Sequence, residues 1–249
     1  MCGRIKAKET EIRNYPREMT MQTIKENDFV EVEYTGKITE GNIVFDTTSE
    51  SEAKAAGIYN PQTQYKPMII CVGQGHIIKG IDNFIVGKEL NKEYTINVKP
   101  EEGFGKKRAD LLQLIATPKF RKHGVNPVPG LQVNIDNTIG IIKTVTGGRT
   151  LVDFNHPCAG KELTYKVKIT KFVTDTKEKV KACATMLLGS QLIQNVEVKD
   201  KKAEVTIPMK FPQEIEEKIT DSIKKTVPEI TEVVYHENAE KKQEKIENI

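Results

Sequence analysis

Apolar and polar positions alternate most cleanly in three stretches of the chain. In FVEVEYTG, residues 29–36, Val30, Val32 and Tyr34 face one way and Glu31, Glu33 and Thr35 the other. A period of two is what a strand with one buried face produces. YTINVKP at 94–100 and ELTYKVKITKFV at 162–173 repeat it. The E-G-N step at 40–42 predicts a hairpin turn, with a return strand from Ile43 to Asp46. Residues 51–66 read as a polar, turn-rich surface excursion, and PMIICV at 67–72 as a short strand. The period then changes. Ile81, Phe84 and Ile85 fall at i, i+3 and i+4, which predicts a short helix over 80–88. It should stop near Leu90-Asn91, where asparagine can take the left-handed cap.

Residues 106–155 interrupt this pattern. DLLQLI is followed by a loop holding Pro118, Gly124, Pro127, Pro129 and Gly130, then by LQVNI, IGIIKTV and RTLVDF with D-N-T and T-G-G turns between them. Strands of one domain flank this β-rich stretch on both sides, so it reads as a domain inserted into a domain. From 176 the chain predicts a helix (KEKVKACATMLLG), a hairpin (NVEVKDKKAEVTIP), a helix carrying Ile215, Ile219 and Ile223 at spacing four, and a strand (EITEVVYHE). The expected organisation is a polar N-terminal extension over 1–22, a domain built from 23–105 and 156–173, the insert over 106–155, a C-terminal α+β domain over 174–240, and a charged tail over 241–249. Met19 and Met21 are alternative starts to Met1.

Composition narrows the setting. The 249 residues are 37% hydrophobic and 29% charged, with a formal net charge of +3, so charge does not call for a nucleic-acid partner. No apolar run approaches the ~18 residues of a membrane span. The first twenty residues are too charged for a secretory core. Cys2, Cys71, Cys158 and Cys183 are widely spaced with no C-x-x-C, which favours reduced thiols and a cytoplasmic location.

The stretch CVGQGHIIKGID at 71–82 places Gly73, Gly75 and Gly80 around a turn. A dinucleotide fingerprint requires a third glycine where Ile78 stands, and a phosphate loop requires Ser or Thr after a lysine where Ile81-Asp82 stand. Neither pattern is complete. The stretch instead offers Ile77, Ile78 and Ile81 at a helix start, where the first backbone N–H groups lack intrahelical partners.

FVEVEYTGKITEGNIVFDTT, VGQGHIIKGIDNFIVG, VKPEEGFG and DFNHPCAGKELTYKVKI, in that order, resemble FKBP-type peptidyl-prolyl isomerases. The insert between EEGFG and DFNHP resembles the SlyD-like branch, and the additional C-terminal domain is similar to the long archaeal form. The resemblance implies an α+β fold: an antiparallel half-barrel sheet around a short helix, with a small β-rich inserted domain and a C-terminal domain of mixed α and β. It implies a rotamase that turns X–Pro bonds and has built-in chaperone activity, with unfolded or partly folded polypeptides as partners and no cofactor, metal, nucleic acid or membrane.

By motif, the resemblance assigns Tyr34, Phe45, Asp46, Ile78, Phe104 and Tyr165 to the reacting site. Met68, Ile70, Ile77, Ile81, His156 and Cys158 are assigned to the surrounding pocket. A backbone donor at Ile78 would hold one substrate carbonyl. Three positions depart from the family pattern: Ile81 stands where many members carry Trp, Phe104 where Tyr is common, and Cys158 where the branch usually has Leu. In the insert, Ile115, Phe120, Val125, Leu131, Ile139, Ile141 and Ile142 exceed what so small a unit can easily bury. The resemblance implies that this unit, with Phe120, Leu131 and Ile141 on its surface, captures unfolded segments and feeds prolines to the pocket.

Taken one at a time, Tyr34, Phe45, Met68 and Tyr165 read as core; a cap for the T-T turn is the competing reading of Asp46. Only the joint match moves them to a pocket. His76 and His123 read as solvated. The Ile215/Ile219/Ile223 stripe packs on its own sheet or forms a homodimer face. A chaperone without catalysis and a nucleotide- or metal-dependent enzyme are the competing functions.

Overall fold

A computed structural model of the chain describes residues 23–238. The expected N-terminal extension, the alternative starts, Cys2 and the charged tail lie outside these residues.

The long strand β1 (Phe29–Ile38) organises the first sheet. It pairs antiparallel with β2 (Ile43–Thr47) along its second half and with β3 (Met68–Cys71) along its first. On its other side runs β9 (Leu163–Phe172), which in turn holds β4 (Glu93–Val98). The E-G-N turn is present, with left-handed Gly41 and Asn42. The period-two reading decides the faces. Val30, Val32, Tyr34 and Gly36 lie on the concave side opposite Val167 and Tyr165, while Glu31 and Glu33 lie on the other. Helix α2 (Lys79–Ile85) fills the concavity with Ile81 and Ile85, both fully buried beside Ile70, Ile96 and Leu163.

Two local expectations are corrected. The excursion at 51–66 opens with a helix, α1 (Glu50–Ala55), started by the Ser49 side chain, which accepts the Glu52 N–H at 3.4 Å. Only Ala53 of that helix is buried, so no apolar period announces it. Helix α2 ends before left-handed Gly87 rather than at Asn91; Asn91 is left-handed too, but in a later turn that donates to the Ile169 carbonyl.

The insert forms its own four-stranded sheet, in the order β5 (Leu112–Ala116), β8 (Arg149–Asp153), β7 (Thr138–Thr146), β6 (Gln132–Ile135). Asp136 and Asn137 are both left-handed, as a two-residue hairpin requires. A short helix, α3 (Thr117–Lys122), covers the inner face and contributes Phe120 to a small core with Val133, Ile142 and Val152. Two bridges close the neck where the chain leaves the first sheet and returns to it. Gly160 N–H donates to Gly105 at 2.7 Å, and the Asn155 amide bonds the Arg108 N–H and carbonyl at 2.8 and 3.0 Å.

The C-terminal unit has the expected order: α4 (Thr176–Leu188), β10 (Asn195–Lys199), β11 (Lys202–Ile207), α5 (Gln213–Thr226) and β12 (Glu232–Glu237). Strand β12 joins β11 in parallel. Ile219 and Ile223 are buried on this sheet and Ile215 is exposed, so the isoleucine stripe is used mainly for the unit's own core. That core extends to Phe29, Ile69, Cys71 and Val173, on the outer face of the first sheet. Strand β3 is thus packed on both sides: Met68 and Ile70 inward, Ile69 and Cys71 against the C-terminal unit.

Candidate active site

The glycine-rich turn after β3 carries a carboxylate of its own. Gly73 and Gly75 take left-handed backbone angles, which turns their N–H groups inward. Both donate to Asp82 of α2, at 2.8 and 3.1 Å. The anion in this cradle is an aspartate from the following helix, 5% exposed, and it occupies the amides that a phosphate would use. Among the donors the turn leaves open is the backbone N–H of Ile78, the residue that caps α2, which has no hydrogen-bond partner among the described residues.

That helix start looks into a hollow of about 380 Å³ lined by Tyr34, Asp46, Met68, Gly75, His76, Ile77, Ile78, Phe104 and Tyr165. An aromatic train forms its wall. Tyr34 and Tyr165 have ring centroids 6.0 Å apart; Phe45 meets both Tyr165 and Phe104 edge-on at 5.9 Å; and Phe104 stacks on His156 at 4.1 Å. Gly36 makes this wall possible. A Cβ there would lie 2.6 Å from the Tyr165 ring and 3.1 Å from Phe45, so the strand must be bare where the rings cross it.

Polar groups are few and directed. Tyr34 donates its hydroxyl to Asp46 at 2.9 Å. Burial, and then the Asp46 charge, raise the Tyr34 phenol well above its ordinary range, and the same two causes raise Tyr165. Both stay protonated at any physiological pH. The His156 ring nitrogen Nδ1 accepts the Cys158 N–H at 3.1 Å, which holds the ring against Phe104.

Ten of the twelve pocket and reacting-site residues expected from the sequence therefore fall into one packed cluster, with Asp46 joined to it through its hydrogen bond from Tyr34 and His156 through its stack on Phe104. They divide by depth. Tyr34, Asp46, Met68, Ile77, Ile78, Phe104 and Tyr165 line the hollow. Phe45 and His156 back its wall. Ile70, Ile81 and Cys158 do not line it. Ile70 and Ile81 are fully buried and Cys158 is 2% exposed, so they form the packed layer beneath, correcting the expectation that they border the cavity. Burial also raises the Cys158 thiol.

His76 is the residue that sequence reasoning missed. It is 9% exposed, not solvated, and its Nδ1 accepts the Cys71 N–H at 3.1 Å. The available signal was its place between Gly75 and Ile77: a chain that doubles back there must return the side chain beneath the strand it has just left. His123 is exposed as expected.

In the insert, Phe120 is 6% exposed and belongs to the inner core, which corrects its assignment to a capture surface. Leu131 packs at the edge of that core, and Ile141 lies half-buried on the outer face of the sheet. The apolar side chains that reach solvent are others: Leu112, Leu114, Val128 and Ile139, 40–63% exposed. Among the described residues, no cluster of three or more His, Cys, Asp or Glu is arranged to hold a metal.

The family described as "FKBP-type peptidyl-prolyl cis-trans isomerase" matches residues 21–121, and the one described as "FKBP26, IF domain" matches 113–158. A short-type peptidyl-prolyl cis-trans isomerase of Methanocaldococcus jannaschii is 34% identical over 146 residues, which are 59% of this chain and 92% of that protein. An FKBP-type 16 kDa isomerase of Escherichia coli is 23% identical over 152 residues (59% and 93%). The SlyD isomerase of Haemophilus influenzae is 25% identical over 146 residues (57% and 76%). Neither family match extends past residue 158.

Proposed function

The chain belongs to the FKBP-type peptidyl-prolyl cis-trans isomerases, and from that premise we propose that the hollow between Tyr34 and Ile78 is where X–Pro bonds of folding polypeptides are turned. The observation that carries the assignment of residues is the unpartnered Ile78 N–H at the mouth of an apolar hollow large enough for a pyrrolidine ring.

The reaction asks for little covalent chemistry. Rotation about a peptide bond faces a barrier of ~18–20 kcal/mol because twisting breaks amide resonance. The two X–Pro ground states are nearly equal in energy, yet exchange takes tens to hundreds of seconds. The twisted amide separates less charge than the planar one, so a wall of Tyr165, Phe104 and Met68 that replaces water favours it. The Ile78 N–H would hold a substrate carbonyl and so fix one side of the rotating bond. Asp46, tethered by Tyr34, would face the polarised amide; the tether keeps the carboxylate from swinging into the space for the ring. Each ~1.4 kcal/mol gained by the twisted state is tenfold in rate. A proline-limited refolding assay, or a protease-coupled assay on a prolyl tetrapeptide, tests this assignment. Acceleration that survives Tyr34→Phe, Asp46→Ala and Phe104→Ala unchanged would remove it.

The inserted sheet is proposed to act as a chaperone surface. Leu112, Leu114 and Ile139 stand on its outer face with half-buried Ile141, and β5 and β6 are edge strands able to take an added strand. The two chain connections at the neck tether the insert to the first sheet, which keeps a captured segment near the hollow and raises the local concentration of its prolines. Suppression of aggregation of a permanently unfolded protein is the measurement, and a chain that gives none overturns the role. A homodimer through the C-terminal unit would have to use Leu187, Met209 and Ile215, its exposed apolar side chains, and light scattering at several concentrations tests it. A cytoplasmic location is supported by the unpaired thiols of Cys71, Cys158 and Cys183. Among the described residues no helix is long and apolar enough to cross a membrane.

A further inference from the structure

His76 has two nitrogens in two different situations. Nδ1 accepts the N–H of Cys71, the last residue of β3, at 3.1 Å. A ring nitrogen that accepts carries no proton, so in the neutral ring the proton sits on Nε2. Nε2 has no partner among the described residues and is not sealed from solvent. The ring itself is 9% exposed, and what it is exposed to is the hollow, whose lining it joins between Gly75 and Ile77. The ring cannot turn its proton elsewhere without abandoning the Cys71 bond.

The neutral state is secured by the surroundings. Burial lowers the basicity of His76, and the Asp82 carboxylate on α2 opposes this only in part. Across the hollow stand Asp46, Tyr34 and Tyr165, and Cys71 lies on the strand behind. Asp82 itself is engaged by Gly73 and Gly75. The Tyr34 hydroxyl is engaged by Asp46. Among the nitrogen donors that the lining leaves without partners are the Ile78 N–H and the His76 Nε2–H, separated by one residue of chain.

A prolyl segment is a natural counterpart. Proline has no N–H, so the backbone around it is rich in carbonyl acceptors and poor in donors. We infer that His76 is a substrate-contacting residue that sets specificity: its Nε2–H donates to a carbonyl oxygen of the polypeptide in the hollow, beside the one held by Ile78. Its Nδ1 keeps that donor aimed. This rests on the reading of the hollow as the prolyl-peptide site.

Two measurements on the full chain test it. In the first, the protein carries ¹⁵N-labelled histidine and is titrated with a prolyl tetrapeptide. The Nε2–H resonance of His76 moves saturably with the peptide; an unmoved resonance at saturation overturns the inference. The second uses kcat/KM for the same peptide in His76→Asn and His76→Gln. The asparagine carbonyl stands near the position of Nδ1, so it braces Cys71 but offers no donor to the hollow. The glutamine amide reaches the position of Nε2 and restores a donor. A neutral hydrogen bond of ordinary strength predicts a loss of about three- to tenfold in His76→Asn. His76→Gln recovers most of it. If Asn matches the wild type, or Gln falls below Asn, the residue is a turn brace and the inference fails. If the wild-type chain does not accelerate isomerisation, the reading of the hollow fails and this inference falls with it; the first titration separates that case from failure of His76 alone.

Discussion

The first sheet and the inserted sheet treat apolar side chains in opposite ways. The first buries a continuous core from Ile24 to Ile169 and holds the hollow, where Phe45 meets Tyr165 and Phe104 edge to face and Tyr34 tethers Asp46. The insert fully buries only Phe120, Val133, Ile142 and Val152 among its large apolar side chains, and turns Leu112, Leu114 and Ile139 outward. Orientation within about an ångström matters for a bond that must be twisted. A surface that accepts many unfolded segments gains from open strand edges and adaptable side chains. The difference is one of preorganisation: a deep core can hold a cavity open, whereas a shallow one can only present a surface.

The largest expected effect comes from separating the two. Removing 106–155 and joining the ends, which the Gly160–Gly105 bond already brings together, should abolish help with refolding while short-peptide turnover stays within a few-fold. The opposite outcome would reverse the roles. Unfolding the insert in place is the subtler version. A Cβ at Gly140 would meet Val152 at 2.5 Å and the Phe154 ring at 2.9 Å. Overpacking of this kind costs about 1–3 kcal/mol, a large share of what four buried side chains can offer. Gly140→Ala should therefore lose aggregation suppression and its own thermal transition, with tetrapeptide turnover intact.

Next in size is Tyr34→Phe. It leaves the Asp46 carboxylate without its tether; a hydrogen bond to a charged group is worth about 1.5–3 kcal/mol, so kcat/KM should fall at least tenfold with aggregation suppression unchanged. On the other sheet, Leu114→Lys alters a side chain 63% exposed. It should weaken capture of unfolded protein several-fold and move the melting temperature hardly at all, since such surface changes stay within about 0.5 kcal/mol.

The smallest effect is a pH dependence confined to the first sheet. His76 is less basic in the folded chain than unfolded, mainly through burial. Its contribution to stability is then complete above the unfolded histidine range, about 6.5, and declines as pH falls below it, because the unfolded chain takes up the proton more readily. Denaturant midpoints at pH 7 and pH 5 should show the decline, and His76→Asn should flatten it.

Legibility followed periodicity. β1, β4 and β9 each bury one face and were readable residue by residue, and the insert was visible because it broke into that alternation. Helices α1 and α3 were not, because each is six residues long and contributes at most two buried side chains. Of the seven apolar residues expected to exceed what the insert can bury, five belong to its core and only Ile139 and Ile141 lie on the outer face. Phe120 turns inward because α3 lies across the sheet, and Leu112 and Leu114 turn outward because of the register β5 adopts with β8. The site was legible as a set through its motifs, while its depth was not: nothing local distinguishes Met68, which lines the hollow, from Ile70 two residues on, which lies beneath it.

The order of hydrophobic and polar residues determined on its own where the strands run, which face of each is apolar, and that one unit interrupts another, because these depend on side chains a few positions apart. The turn at Gly73–Gly75 was likewise written locally. Its occupant was not. That Asp82 fills the cradle, that His76 reaches back to Cys71, and that the Ile78 N–H is left bare follow from α2 folding back against β3. A hydrogen bond is directional and lost beyond about 3.5 Å, so which donors remain for a substrate is decided only once distant parts of the chain are brought together.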